Sequence, residues 1–269
     1  MAGKFEWLAE GIWLVGRGGW GGVEPLSKPT DSNVYLVDGG GELALVDTGS
    51  GAECPELLAN VRAAGFEPGR ISKVFLTHAH SDHSAGAAWL RGITGARLYA
   101  GPLTARALAE GERYLIGPLQ PFERCPVAPL FIDKWLCDCD TIQVGNAKFT
   151  ALSTPGHSTD SFCYSATVGN LRVLFSGDTA IGNQPRKDIG PAVVLKGLLG
   201  WLDGHWSAPL GTYRASLERL LRARIDLMLP GHGASNDAAT ARSGIEAGIK
   251  HLQRILDDPE LYVMFAVAR

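Results

Sequence analysis

A chain of 269 residues, with 45% hydrophobic and 20% charged side chains, has enough apolar material for a sizeable core and reads as one domain spanning residues 1–269. A formal net charge of −3 and a pI near 6.2 exclude the basic field expected of a nucleic-acid-binding protein. No apolar run approaches bilayer length, and Met1–Val15 lacks the basic start, long apolar stretch and cleavage site of a signal peptide, so a cytoplasmic protein with no membrane partner is expected.

The chain opens with short strand-like runs at Gly11–Val15, Asn33–Val37 and Leu43–Val46, joined by Gly-rich turns. Pro55 begins a helical stretch to Ala64, with Gly65 as its stop. A strand is expected at Val74–Thr77, then a helix from Pro102 to Glu110 closed by Gly111. Cys137 and Cys139 alternate onto one face of a strand and read as a packing pair, because cysteine zinc sites usually need two such pairs. Five cysteines are an odd number, and their spacing suggests no disulfide framework. Further strands fall near Ile142–Val144, Lys148–Leu152, Phe162–Ala166 and Leu171–Phe175. A helix follows at Tyr213–Arg222, with Arg219, Arg222 and Arg224 as a solvated face, and then a strand at Leu227–Leu229. The last helix, Ala238–Leu256, places Ile245, Ile249, Leu252 and Leu256 on a core-facing stripe and leaves His251 in solvent. Antiparallel strands first, interspersed helices and a late strand–helix pair suggest two sheets packed face to face with helices outside.

Four of these apolar runs end in metal-ligand residues. Val74-Phe75-Leu76-Thr77 leads into His78-Ala79-His80-Ser81-Asp82-His83, and Phe149-Thr150-Ala151-Leu152 into Ser153-Thr154-Pro155-Gly156-His157. Val173-Leu174-Phe175 leads to Ser176-Gly177-Asp178, and Leu227-Met228-Leu229 to Pro230-Gly231-His232. If the four strands end at one rim, seven imidazoles and carboxylates converge there. Small residues and prolines at each strand end make sharp turns that can aim a side chain inward. Five of the seven histidines belong to this set. Four ligand-type residues within six positions after a strand make a poor core, and imidazole and carboxylate together suit a divalent ion.

The chain resembles the metallo-β-lactamase superfamily, from Asn33-Val34-Tyr35-Leu36-Val37 and Leu45-Val46-Asp47-Thr48-Gly49 to Leu229-Pro230-Gly231-His232-Gly233. The resemblance implies an α/β (α+β) fold, a four-layer αββα sandwich with metals at one edge of its two sheets. It implies that His78, His80 and His157 hold a first metal, that Asp82, His83 and His232 hold a second, and that Asp178 bridges them. Asp47 matches a structural Asp of the family that supports the ligands without being one. The expected cofactors are two divalent ions, zinc foremost, with iron or manganese as alternatives.

Such a pair lowers the pKa of a shared water toward neutrality, which gives a hydroxide able to attack a carbonyl carbon or a phosphorus. Asp82 takes a catalytic role beside its ligand role, as the acceptor that moves the proton. Ser176 and Cys163 have no dedicated base, so a covalent route is not expected. Asp178 argues against a dedicated β-lactamase, since the true lactamases of the superfamily generally carry Cys or Ser there. Ile181 stands where the acyl-homoserine-lactonase pattern has Tyr, and neither the glutathione-binding residues of glyoxalase II nor the substrate-gripping arm of ribonuclease Z can be matched. The expectation is therefore a hydrolase of small-molecule esters, lactones or thioesters, with β-lactam cleavage as a side activity. The alternatives are a phosphodiesterase, a mononuclear iron persulfide dioxygenase on the same scaffold, or a non-catalytic scaffold member, which would typically have lost ligands. Trp20, among the five glycines of Gly16–Asn33, and Trp201, His205 and Trp206 are the candidate substrate contacts.

Overall fold

In the computed structural model, which describes residues 3–19, 23–51, 53–111, 129–182 and 207–258, the apolar runs pair into two sheets. The first follows chain order: β1 (Glu6–Ala9), β2 (Ile12–Gly16), β3 (Val34–Asp38), β4 (Leu43–Val46), β5 (Ile71–Phe75), β6 (Arg97–Ala100) and β7 (Lys134–Trp135). Its pairs are antiparallel up to β4 and parallel from β4 to β7. The second contains β8 (Thr141–Val144), β9 (Ala147–Ser153), β10 (Phe162–Val168), β11 (Leu171–Gly177), β12 (Leu227–Pro230) and β13 (Asn236–Asp237), in the order β13-β12-β11-β10-β9-β8. Here β11 and β12 pair in parallel and the other neighbours antiparallel.

Strand side chains alternate between two faces, and both faces are buried in the central strands. On β3, Tyr35 and Val37 face the second sheet, while Val34 and Leu36 face outward. On β11, Val173 and Phe175 face the first sheet and Leu174 faces out. The inner layer is aromatic: Phe75 stacks on Phe149 with centroids 4.7 Å apart, and Phe149 on Phe175 at 5.8 Å. Helices α1 (Pro55–Ala63), α3 (Ala87–Thr94) and α4 (Pro102–Glu110) cover the outer face of the first sheet, with α2 (Ser81–Ser84) a single turn between α1 and α3. Helices α5 (Leu210–Arg222) and α6 (Ala238–Asp257) cover the second. The result is the expected αββα sandwich, helices outside and two sheets within. No helix of the described residues is long and apolar enough to cross a membrane.

The local signals act as expected at several ends. Pro102 opens α4 and Gly111, at φ +65°, closes it, while Asp237 caps α6 by accepting the N–H of Thr240 at 2.8 Å. Elsewhere the structure departs from the sequence reading. The strand expected at Val74–Thr77 runs over Ile71–Phe75, because the N–H of Thr77 turns away from the ladder to Asp47 Oδ1 at 2.8 Å. On α6 the buried stripe is Ala241, Ile245, Gly248, Leu252 and Ile255, a four-three alternation that leaves Leu256 39% exposed. His251 is half-buried with its Nε2 inside, not in solvent. Cys137 and Cys139 are not on a strand. They lie exposed in a turn, Cys139 at φ +66°, held by the N–H of Cys137 donating to Asp140 Oδ2 at 2.8 Å. Arg219 is tied to Asp138 at 2.7 Å, while Arg222 and Arg224 are exposed. The short elements β1, α3, β6 and β7 had no periodic signal long enough to mark them.

Candidate metal centre

The strand directions set up the site. Strands β4 and β5 run parallel in the first sheet; β9 and β11 are both antiparallel to β10 in the second, and β12 is parallel to β11. The loops leaving their C-terminal ends meet at one rim. Backbone bonds stitch the sheets together there, with Phe162 N–H on Thr77 O at 2.8 Å and Asn33 N–H on Gly231 O at 2.7 Å.

Those loops bring seven side chains into contact. His78 Nε2 and His157 Nε2 each lie 3.0 Å from His80 Nδ1. Beside this trio, His232 Nε2 lies 3.0 Å from Asp82 Oδ2, and His83 Nε2 lies 3.5 Å from the same oxygen. Asp178 stands between the groups, with Oδ2 3.6 Å from His157 Nε2 and 3.4 Å from His232 Nε2. Oδ1 of the same residue is 3.4 Å from His83 Nε2. Within each of the sets His78/His80/His157, His78/His83/Asp178 and Asp82/His83/His232, one atom per residue lies within 4.8 Å of the others. The donor chemistry fits divalent ions. His80 Nδ1 lies 3.0 Å from each of the other two ring nitrogens, close enough for all three to reach one ion at the zinc–nitrogen distance of about 2.0–2.1 Å. His83 Nε2 and Asp178 Oδ1 are buried and face each other without making a hydrogen bond, an arrangement that costs free energy unless a cation compensates it.

A ring of supporting groups aims these side chains. Asp47, buried and at φ +61°, accepts His83 Nδ1–H on Oδ2 at 2.7 Å, which turns the Nε2 atom into the site. Thr77 gives its hydroxyl proton to the same oxygen at 2.9 Å and so accepts from His78 Nδ1 at 3.0 Å, leaving the Nε2 lone pair of His78 facing His80. One carboxylate thus sets the tautomers of two imidazoles. The Asn33 amide donates to Pro230 O at 2.8 Å and Gly233 O at 2.9 Å, bracketing His232, and Tyr35 OH joins it on Pro230 O at 2.7 Å. Glycine makes room for the contacts: a Cβ on Gly231 would stand 2.2 Å from Asp178 Oδ1, and one on Gly156 would stand 2.1 Å from the Tyr213 ring.

Electrostatics divide the cluster. Burial, reinforced by the neighbouring imidazoles, drives His78 well down and His80 to about 3, which favours the neutral ring in both. In the other half burial opposes ionisation, but charge pairing wins. Asp178 is held well below the usual carboxylate range by His232 and His83, and His232 rises to about 9 against Asp178 and Asp82.

The structure therefore brings together His78, His80, Asp82, His83, His157, Asp178 and His232. Trp20, Trp201, His205 and Trp206 lie outside the described residues. Sequence reasoning missed Asn33 and Thr77 as supporting residues, although both sit inside quoted motifs. It also missed Asp160, a carboxylate three positions after His157.

A buried His/Asp cluster at the rim of an αββα sandwich defines a class of metal-binding proteins. Residues 27–232 match the model of the metallo-beta-lactamase superfamily, and the chain belongs to that superfamily. The atrochrysone carboxyl ACP thioesterase of Aspergillus fumigatus is 29% identical over 204 residues, covering 76% of this chain and 51% of that protein. The hydroxyacylglutathione hydrolase of Cereibacter sphaeroides is 30% identical over 152 residues, covering 56% of this chain and 48% of its own. The chain spans about half the length of these relatives. A solved metallo-beta-lactamase structure from Cronobacter sakazakii superposes with a TM-score of 0.67 at 20% identity, over 98% of this chain and 99% of that one, a likeness of fold.

Proposed function

We propose that this chain is a metal-dependent hydrolase that works with two divalent ions, zinc foremost, and cleaves acyl compounds: thioesters first, then esters and lactones, with β-lactams as a side activity. The observation that carries the reading is Asp178, whose carboxylate stands between two adjoining ligand sets. The names of the two relatives, a thioesterase and a hydrolase of an acyl-glutathione, support an acyl group on sulfur as the substrate class.

In this reading His78, His80 and His157 would hold one ion and Asp82, His83 and His232 the other, with Asp178 placed between the two sets. Ions bound there supply Lewis-acid polarisation of a carbonyl oxygen and bring the pKa of water toward neutrality. The remaining work falls to the chain. Asp82 is buried with one carboxylate oxygen 3.0 Å from His232 Nε2 and 3.5 Å from His83 Nε2, and in this reading it is the acceptor for the proton of an attacking water. Asp47 and Thr77 keep the Nε2 atoms of His83 and His78 aimed inward. Trp20, Trp201, His205 and Trp206 are the proposed substrate wall; Trp20→Ala should raise KM for bulky substrates at unchanged metal content.

Elemental analysis of the purified protein, coupled to a panel of thioester, ester, lactone, phosphodiester and β-lactam substrates, tests the proposal. The expected result is two divalent ions per chain and fastest turnover on a thioester. A fully loaded protein holding a single iron and oxidising a persulfide would overturn it, as would preference for the phosphodiester.

A further inference from the structure

The first trio is assembled from two loops, His78 and His80 from the one after β5, and His157 from the one after β9. One buried side chain ties those loops to each other. Asp160, 1% exposed, accepts the backbone N–H of Ala79 on Oδ2 at 2.8 Å, and Ala79 is the residue between His78 and His80. The same oxygen accepts the hydroxyl of Thr104 on α4 at 3.0 Å, and that hydroxyl also lies 3.2 Å from Asp160 O. The carbonyl of Ala79 is held from the other side by Ser84 Oγ at 3.0 Å. Both polar groups of the Ala79 backbone are therefore pinned, and the pin on its N–H comes from the loop that carries His157.

The arrangement is costly for the fold alone. Burial pushes the Asp160 carboxyl upward, and Asp160 makes no ion pair among the described residues. An Asn of the same shape can accept both hydrogen bonds through its amide oxygen without burying a charge. What the carboxylate adds is a charge-assisted bond to Ala79, shorter and stronger than a neutral one.

We propose that Asp160 is a positioning residue of the metal centre, the clasp that keeps His78 and His80 in register with His157. It acts through the Ala79 backbone. The inference rests on the reading that His78, His80 and His157 hold an ion.

The test is titration of metal-free protein with Zn2+ against a chromophoric chelator, with the thermal midpoint of each metal-free variant measured in parallel. Asp160→Ala should weaken the ion at His78, His80 and His157 by roughly ten- to a hundredfold, the range for losing a group that orients ligands. The ion at Asp82, His83 and His232 should shift by much less, and Asp160→Asn should recover most of the loss. A merely structural role would instead lower the metal-free midpoint, weaken both ions alike and show no such recovery, and that pattern overturns the proposal. Thr104→Val, which removes a donor from the same oxygen, should weaken the trio ion severalfold and serves if Asp160→Ala fails to fold; unchanged affinity in Thr104→Val would then overturn the clasp. His157→Ala separates the two levels of argument. If it binds Zn2+ like the wild type, the assignment of the trio has failed; if it loses an ion while Asp160→Ala keeps both at wild-type affinity, the clasp alone has failed.

Discussion

In the proposed mechanism Asp82 combines two demands, to hold an ion and to take a proton. Asp82→Asn keeps the shape but removes the charge that His83 and His232 stabilise. Turnover should fall by roughly two orders of magnitude or more, because metal affinity and water orientation both suffer. Wild-type turnover with both ions bound would show that Asp82 carries no proton. The described cysteines divide by burial. Burial raises Cys54 to about 12 and Cys163 to about 11, whereas Cys137 and Cys139 are exposed, and thiolate rather than thiol is the reactive form. In the native protein, iodoacetamide should therefore modify Cys137 and Cys139 and spare Cys54 and Cys163 until denaturant is added. Peptide mapping that finds Cys163 labelled first would contradict the described packing.

The loops after β9 and β12 share a Pro-Gly-His sequence, but the two glycines serve different neighbours. Gly156 makes space for the ring of Tyr213, which is buried on α5 and donates its OH to Thr179 O at 2.7 Å. Gly231 makes space for the carboxylate of Asp178. A methyl at Gly156 must push α5 away from the β9 loop, so Gly156→Ala should destabilise even the metal-free protein, by about 1–3 kcal/mol for an overpacked site. A methyl at Gly231 displaces the Asp178 carboxylate and the His83 ring, so Gly231→Ala should lose metal in preference to stability. Denaturation midpoints and metal content measured on both variants check the pair; equal loss of metal in each would erase the distinction.

Seven His and Asp side chains packed against one another make the metal-free site unfavourable, so bound ions should stabilise the whole fold. Anything that binds the native state alone stabilises it by mass action, about 4 kcal/mol at a thousandfold excess over Kd. Removing the ions with a chelator should lower the thermal midpoint, and adding back Zn2+ should restore it together with hydrolysis. A midpoint indifferent to chelation would mean that no ion sits in this cluster. Much of this architecture was legible in the chain. A short apolar run after a Gly-rich turn placed Leu43–Val46, and proline and glycine punctuation placed Pro102–Glu110, because both signals are carried by near neighbours. His-x-His-x-Asp-His was visible because its members are adjacent in sequence. Helix phase was less secure: Ile255 rather than Leu256 completes the α6 stripe, since a one-residue step rotates a side chain by about 100°. The turn at Cys137–Cys139 looked like strand because alternation carries no information about a left-handed φ. Tertiary structure alone decided which polar groups meet at the rim. Asp160 reaches Ala79 across 81 positions and Asn33 reaches Pro230 across 197, and no local pattern encodes such a pairing. The reason is physical: periodicity records which face of an element avoids water, whereas the partner of a buried polar group is chosen by how the faces pack.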